Sequence, residues 1–343
     1  MKNLYELIQE FEEESLSKVI TVVDGESSGD KAFISNGEIL LDSGKNGFLS
    51  ELREVFLKEE ETKVLELRGN RIFCDVLSPT KKLVICGAGH VSMPIIQFGL
   101  MADFSVTVID DRVTFADNAR RVGAEHVHCK DFQSALKKIE SDENTYFVIV
   151  TRGHRYDKIC LEEIIQKPGG YVGMIGSKKR VKKVKEDLLE EGYEAAKVEE
   201  VYTPIGLDIK AETPVEIAIA IMAEIILVKN RKKTGTGYTK EILNALLESS
   251  EKKRETVLAT IITRRGSAPR EVGTKMLIYP DGRNLGTIGG GCAEADVTRK
   301  ARDLFHREDK KTAMVQVDMT GLNAEEDGMV CGGIMEVFLE KIG

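Results

Sequence analysis

No two of the six cysteines (Cys74, Cys86, Cys129, Cys160, Cys292 and Cys331) are spaced as CxxC, and no Cys/His cluster has zinc-site spacing. That scatter, with HVHC at residues 126–129 as the one close Cys/His grouping, argues against a structural zinc site and against a disulfide framework, and it suits a reducing compartment. Long apolar runs are also missing. The longest, AIAIMAEIILV, is too short to cross a bilayer and contains Glu224. Positive charge is in deficit, with 49 Lys and Arg against 57 Asp and Glu and a net charge of −8. Non-specific binding to nucleic acid or to an anionic membrane is therefore not expected. The opening MKNLYELIQE is amphipathic and charged, unlike a signal peptide, so a cytoplasmic protein is expected. What is present is ordinary for a globular chain: 343 residues, 42% hydrophobic and 31% charged, with room for two or three domains.

Residues 1–80 read as a small α+β domain. Leu4, Leu7, Ile8 and Phe11 have helical spacing, and KVITVV reads as a strand. AFISNGEILLD reads as a hairpin turning on Asn36-Gly37, a helix spans 48–59, and KVLEL and RIFCDVL close the unit. Residues 81–230 change pattern. LVICG, VTVID, YFVIV and YVGMIG are short β-branched runs separated by helix-like stretches at 91–101, 131–140, 157–167 and 178–191. This alternation predicts a Rossmann-like parallel sheet covered on both faces. Thr213-Pro214-Val215-Glu216 is a capping box that opens a last helix running to about Val228. Residues 231–240 read as a linker, and 241–343 as a third, α+β domain.

The third domain echoes the first. EILNALLESSEKKRETVLATII aligns with NLYELIQEFEEESLSKVITVV without a gap, placing Val19 on Val257, and Gly37 falls on Gly282 further on. The fold class expected is thus α/β, a Rossmann-like domain flanked by two α+β domains that form a degenerate internal repeat. Only the C-terminal copy has loops rich in Gly, Ser, Pro, Arg and Cys, so one copy carries chemistry while the other packs.

Four segments are candidates for binding. Gly87-Ala88-Gly89-His90 follows a strand and opens a helix, where backbone N–H groups approach a pyrophosphate. Asp110 stands where a dinucleotide fold places its ribose-binding acid, although Ser92 replaces the third glycine. TRGHRYD, residues 151–157, lies at the carboxyl edge of the sheet and brings His154 and Asp157 toward His90; alternatively it is a capped loop with Asp157 starting a helix. Gly176-Ser177 precedes three basic residues and offers amides and cations to a phosphate, or begins a solvated helix face. The fourth segment comprises Ser267 and Arg270 in RRGSAPREVGTKML, Gly289, Gly290, Gly291 and Cys292 in GTIGGGCAEADV, and Cys331 in VCGG. A cysteine at a helix N-terminus has a stabilised thiolate. Cys292 and Cys331 are candidate metal-facing or sulfur-carrying thiols, or else small buried hydrophobes. His126 and His128 share a strand face and are read as packed or solvated, and His306 as surface.

Together these motifs resemble the XdhC/CoxI family of accessory proteins for molybdenum hydroxylases such as xanthine dehydrogenase. GSAPREVGTKML, DGRNLGTIGGGCAEADV and VCGGIMEVFLE are similar to its XdhC/CoxI domain; GAGHVS, TRGHRYD, YVGMIGSKKR and PIGLDIKAETPVEIAIAIMAEI are similar to its Rossmann-like domain. Two departures stand out: the glycine/cysteine domain follows the Rossmann-like one, and TRGH replaces a THDH-like sequence. The resemblance implies a maturation factor that binds the molybdenum cofactor (molybdopterin), supports its sulfuration with a cysteine desulfurase-type donor, and delivers it to an apo molybdenum hydroxylase. Cys292 and Cys331 would face molybdenum or its sulfur, Gly289, Gly290 and Gly291 would offer amides, Arg270 would meet an anionic group, and Gly87, Gly89 and His90 would wall the Rossmann side. A homodimer is expected. The rival reading is an NAD(P)-dependent oxidoreductase using the Rossmann-like domain.

Overall fold

The protein is described from a computed structural model, covering residues 2–11, 17–231, 237–319 and 332–343 without the side chains of Lys178 and Cys292. It divides into two compact units. Residues up to Pro79 join the C-terminal segment in one, and residues from Thr80 through the capped helix form the other.

In the first unit the N-terminal copy runs α1 (Leu4–Phe11), β1 (Ser17–Val22), β2 (Lys31–Ser35), β3 (Glu38–Asp42), α2 (Phe48–Glu51), α3 (Arg53–Leu57), β4 (Lys63–Leu67) and β5 (Asn70–Leu77). The hairpin β2–β3 turns where expected, with Asn36 at φ 49° and Gly37 at φ 77°, the two left-handed positions of a tight turn. The second unit contains β6 (Lys82–Cys86), α4 (Ser92–Met101), β7 (Ser105–Ile109), α5 (Val113–Arg121), β8 (His126–His128), α6 (Phe132–Leu136), β9 (Thr145–Ile149), α7 (His154–Ile164), β10 (Tyr171–Met174), α8 (Lys178–Glu190), α9 (Ala195–Glu199) and α10 (Pro214–Lys229). Its strands are all parallel, in the order β10-β9-β6-β7-β8. The predicted capping box is formed: Thr213 Oγ1 accepts from Glu216 N, and Glu216 Oε2 accepts from Thr213 N. The chain then returns to the first unit as α11 (Lys240–Glu251), β11 (Thr256–Arg265), β12 (Lys275–Ile278), β13 (Asn284–Gly286), α12 (Gly291–Phe305), β14 (Thr312–Asp318) and β15 (Ile334–Ile342). Among the described residues no helix is long and apolar enough to cross a membrane.

The repeat is visible in the topology. The N-terminal sheet has the order β3-β2-β1-β5-β4 and the C-terminal sheet β13-β12-β11-β15-β14, and each is antiparallel throughout. The ungapped alignment is off by one residue in the strands. Val19 pairs with Phe33 and Asp75, and Leu258 pairs with Leu277 and Glu340, so Val19 corresponds to Leu258 and not to Val257. The helices keep the original offset: Leu4, Tyr5 and Ile8 match the buried Ile242, Leu243 and Leu246. One extra residue between helix and strand in the C-terminal copy accounts for the slip, which matters because a shift of one turns every side chain to the other face.

The two copies pack as a pseudo-symmetric pair. One face of each sheet is covered by its own helices, with Ile20, Ile34 and Cys74 beneath α2 and α3, and Ala259, Ile261 and Val337 beneath α12. The opposite faces meet. Val19, Phe33, Leu258 and Leu277 share one cluster with α1 and α11, and Val23, Phe73, Ile262 and Phe338 form another. Ion pairs cross reciprocally, as in a two-fold interface where each partner presents the same patch. Lys275 Nζ lies 2.6 Å from Asp75 Oδ2, and its counterpart Lys31 Nζ lies 2.7 Å from Glu340 Oε2. Arg71 and Glu336, which occupy matching positions, pair with each other through two N–H···O contacts. The stretch read as a linker does not stay in solvent throughout: Gly237 and Tyr238 are buried, and the Tyr238 ring lies under Lys275 Nζ at 4.3 Å.

Candidate functional site

The parallel sheet reverses its strand order at β6, between β9 and β7, and open α/β sheets bind ligands at the carboxyl ends of the strands beside such a point. The loops after β6 and β9 touch there. Gly87 has φ +105°, and a Cβ on it would come within 2.6 Å of Val150 O, so only glycine fits both the conformation and the approach. Ser92, in the place of a third glycine, is buried and donates from Oγ to Gly87 O at 2.6 Å, closing the turn from below. His90 and His154 are both exposed on these loops. The helix after β9 starts at His154 rather than at Asp157, which lies one turn inside it.

Asp157 is fully buried, accepting from Thr151 Oγ1 and from Arg180 Nη2. Burial pushes its carboxyl up, against the pull of Thr151 and Arg180. This ties the end of β9 to the start of α8, where Ser177 Oγ caps the helix by accepting from Arg180 N. The basic run beyond is largely a solvated, paired face, with Lys182, Lys183 and Lys185 set against Glu186, Asp187 and Glu199.

Asp110 sits at the end of β7 as expected, but its carboxylate faces inward. Its side chain has 0% exposure. Oδ2 accepts from Ala88 N and Arg112 Nη2, both at 2.8 Å, and Oδ1 from Arg112 N at 3.0 Å and Arg112 Nε at 2.8 Å. Burial alone would raise this carboxyl; the Arg112 fork and the two backbone N–H groups outweigh it and hold the group below the usual range. Asp110 therefore braces the glycine turn and fixes Arg112. The structure leaves it no lone pair with which to hold a ribose diol, which corrects the role expected of it. Arg152 pairs similarly with Asp111, at 2.6 and 2.9 Å, and reaches Tyr156 Oη.

In the other unit three segments converge on the start of α12. A Cβ on Gly289, at φ +131°, would fall 2.2 Å from Pro269 Cγ; one on Gly333 would fall 2.6 Å from Ser267 O; one on Gly266 would fall 2.9 Å from Gly332 O. The 266–269 loop is thus held between the triple glycine and the 332–333 turn. Ser267 on this loop and Arg270 directly after it are exposed. Cys292 is the second residue of α12, and its side chain lies outside the described residues, as does all of Cys331, which directly precedes Gly332.

The triple glycine does not offer all its amides. Glu294, one turn into α12, turns back so that Oε1 accepts from Ile288 N at 3.1 Å, Gly290 N at 2.8 Å and Thr287 Oγ1, while Gly289 N donates to Thr287 Oγ1 at 3.1 Å. The amides of Gly289 and Gly290 are committed to shaping the loop, which corrects their assignment as ligand donors. Sequence reasoning passed over Glu294. Its signal was an acid in the first turn of a helix preceded by glycines, a position that complements the free N–H groups. His126 and His128 do lie on one exposed face of β8, and among the described residues no group of three or more metal-ligating side chains gathers.

Two family models match the chain: the XdhC Rossmann domain over residues 83–225 and the XdhC and CoxI family over residues 249–318. The chain is 29% identical over 165 residues to an uncharacterized protein, YqeB, of Escherichia coli K12, covering 48% of this chain and 30% of that protein. It is 26% identical over 160 residues to a protein of Bacillus subtilis 168 named as a probable xanthine dehydrogenase subunit, covering 47% and 46%. A shorter match of 34% over 64 residues links it to the molybdenum cofactor insertion chaperone PaoD of Escherichia coli K12, covering 19% and 20%. The chain thus spans at most about half the length of these curated relatives. Its fold is shared with a crystal structure described as a xanthine dehydrogenase from Bacillus halodurans, with a TM-score of 0.53 and 23% identity, covering 69% of this chain and 66% of that one.

Proposed function

The chain belongs to the XdhC/CoxI family, and from that premise we propose that it is an accessory protein of a xanthine dehydrogenase-type molybdenum hydroxylase. In this reading it binds the molybdenum cofactor as cargo, supports its sulfuration by a cysteine desulfurase-type donor, and delivers it to the apo-hydroxylase. The observation that carries the reading is the convergence of the 266–269 loop, the triple glycine and the 332–333 turn on the helix that begins Gly291-Cys292. A Cβ on Gly290, Gly291 or Gly332 would meet nothing within 4 Å, which leaves a bulky guest room beside the packed loops, and a thiol in the first turn of a helix suits a soft metal or its sulfur. Arg270 would meet an anionic group of the guest.

The test is reconstitution. Purified chain, loaded with molybdenum cofactor and a sulfur donor, is expected to activate a cofactor-free hydroxylase, with pterin and molybdenum recovered bound to the chain beforehand. The Cys292→Ser and Cys331→Ser proteins are expected to lose most of that activation. Full cofactor binding and full activation by both variants would remove the thiols from the reading.

The same proposal includes a homodimer built on α10. Val215, Ile219 and Ile226 lie along one side of this helix, exposed by 51%, 46% and 38%. A helix this apolar on its outer side normally has a partner. Antiparallel pairing with a second copy would set Glu216 near one end against Lys229 near the other. Light scattering is expected to give twice the chain mass for the native protein and one chain mass for Ile219→Glu; a native monomer at micromolar concentration would rule the pairing out.

A further inference from the structure

The Rossmann-like crevice has the donors for phosphate but not the acceptor for a ribose diol. A nicotinamide dinucleotide without a 2′-phosphate is held in such folds by a carboxylate at the end of the second strand, which accepts from the ribose hydroxyls. Asp110 occupies that place, yet its two oxygens already accept four N–H groups and it has no exposed surface. A carboxylate has about four acceptor sites, so this one is saturated.

Saturation of Asp110 has a second effect. It holds the Arg112 guanidinium rigidly through Nε and Nη2, while the Phe115 ring covers one guanidinium face at 3.5 Å from its centroid. Among the described residues Nη1 has no hydrogen-bond partner, and the side chain is 31% exposed. An arginine fixed in this way loses little rotamer freedom on binding and offers a planar fork, the geometry that suits a phosphate. At the neighbouring turn the N–H groups of Gly89, His90 and Val91 are likewise without partners among the described residues, at the start of the ten-residue helix α4. Free amides at a helix start suit a diphosphate. Arg112 at the end of β7 and the amides at the end of β6 lie on adjacent strands.

We infer that this crevice binds a 2′-phosphorylated adenine dinucleotide, with the diphosphate on the Gly89–Val91 amides and the 2′-phosphate on Arg112. Its residues belong to one unit of the fold and the glycine and cysteine loops that carry the proposed function to the other; Gly89 and His90, which the resemblance set beside the molybdenum cofactor, are here given to the dinucleotide. Failure of this one would leave the accessory role standing, and failure of the accessory role would leave this site standing.

Isothermal titration of the full-length protein with NADP+, NAD+ and 2′,5′-ADP tests it. NADP+ is expected to bind at least about tenfold more tightly than NAD+, and 2′,5′-ADP to compete with it, with affinity falling as salt rises. Arg112→Lys keeps a positive charge beside Asp110 but removes the fork, and is expected to erase most of the preference in a protein that still folds, with a lower melting temperature because the Nε and Nη2 bonds to buried Asp110 are lost. Equal or tighter binding of NAD+ would overturn the inference and point to Asp111 as a ribose partner. Absence of binding by either dinucleotide would also overturn it, and so would a folded Arg112→Lys protein that kept the full preference. If Arg112→Lys does not fold, the native NADP+ to NAD+ ratio alone decides.

Discussion

Replacing Lys275 with methionine is expected to destabilise the repeat unit by about 3–5 kcal/mol, the scale for removing one member of a buried ion pair. Lys275 and Asp75 each have only 2% of their side chain exposed, so solvent screens neither charge. Lys275 Nζ also donates to Gly273 O at 3.2 Å and lies against the Tyr238 ring. Among the described residues Asp75 Oδ1 already has no hydrogen-bond partner. Without Lys275 the whole carboxylate would be buried and uncompensated. Urea unfolding of the native and variant proteins measures the loss. Changing both partners, as Asp75→Leu with Lys275→Met, is expected to recover most of it, because paired charges and well-packed apolar groups in such places differ little in stability. A single Lys275→Met protein as stable as the native one would show that the two copies are not held by this pair.

The second large effect is expected at Gly289. Alanine there must accept φ +131° and a Cβ 2.2 Å from Pro269 Cγ, so either the triple glycine or the 266–269 loop moves. The strain amounts to about 1–3 kcal/mol for the backbone conformation alone. Client activation in the reconstitution assay is expected to fall by at least about tenfold, because displacement near 1 Å is enough to misplace a bound group. Gly290→Ala makes a useful companion. It also sits at positive φ, +77°, but a Cβ there meets nothing within 4 Å, so the loop keeps its place and the functional loss should be smaller. Gly289→Ala retaining native activation would mean that the convergence of these loops has no bearing on the cargo.

The alternation of short β-branched runs with helices was enough to read the parallel sheet, because strands buried on both faces are apolar along their whole length. The capping box at Thr213 and the Asn36-Gly37 turn were equally legible, since both depend on residues close in sequence. The helix α5 was not. Its buried residues are only Ala116 and Ala119, so its apolar period is faint. The strand offset of the repeat was missed by one residue for a similar reason. Val257 and Leu258 are both buried, and hydrophobicity does not tell them apart when both faces of the strand are covered.

At the candidate sites the residue types were readable, but the states of their polar groups were not. Asp110 stands where the ribose acid was predicted, and only the fold shows that Arg112 and Ala88 have already filled it. The triple glycine was visible as a close approach, whereas the commitment of its amides to Glu294 depends on a side chain folding back by a turn.

The sequence by itself determined the class of each domain, the existence of the repeat, the glycine turns and the family, because these follow from local pattern and from residue types at short spacing. Tertiary structure alone decided that the two copies embrace as a pseudo-dimer, with Lys275 reaching Asp75 from two hundred positions away, and decided which carboxylates are spent on the fold. A hydrogen bond needs its two atoms within about 3 Å, and no spacing along a chain reports that until the strands between them have found their partners.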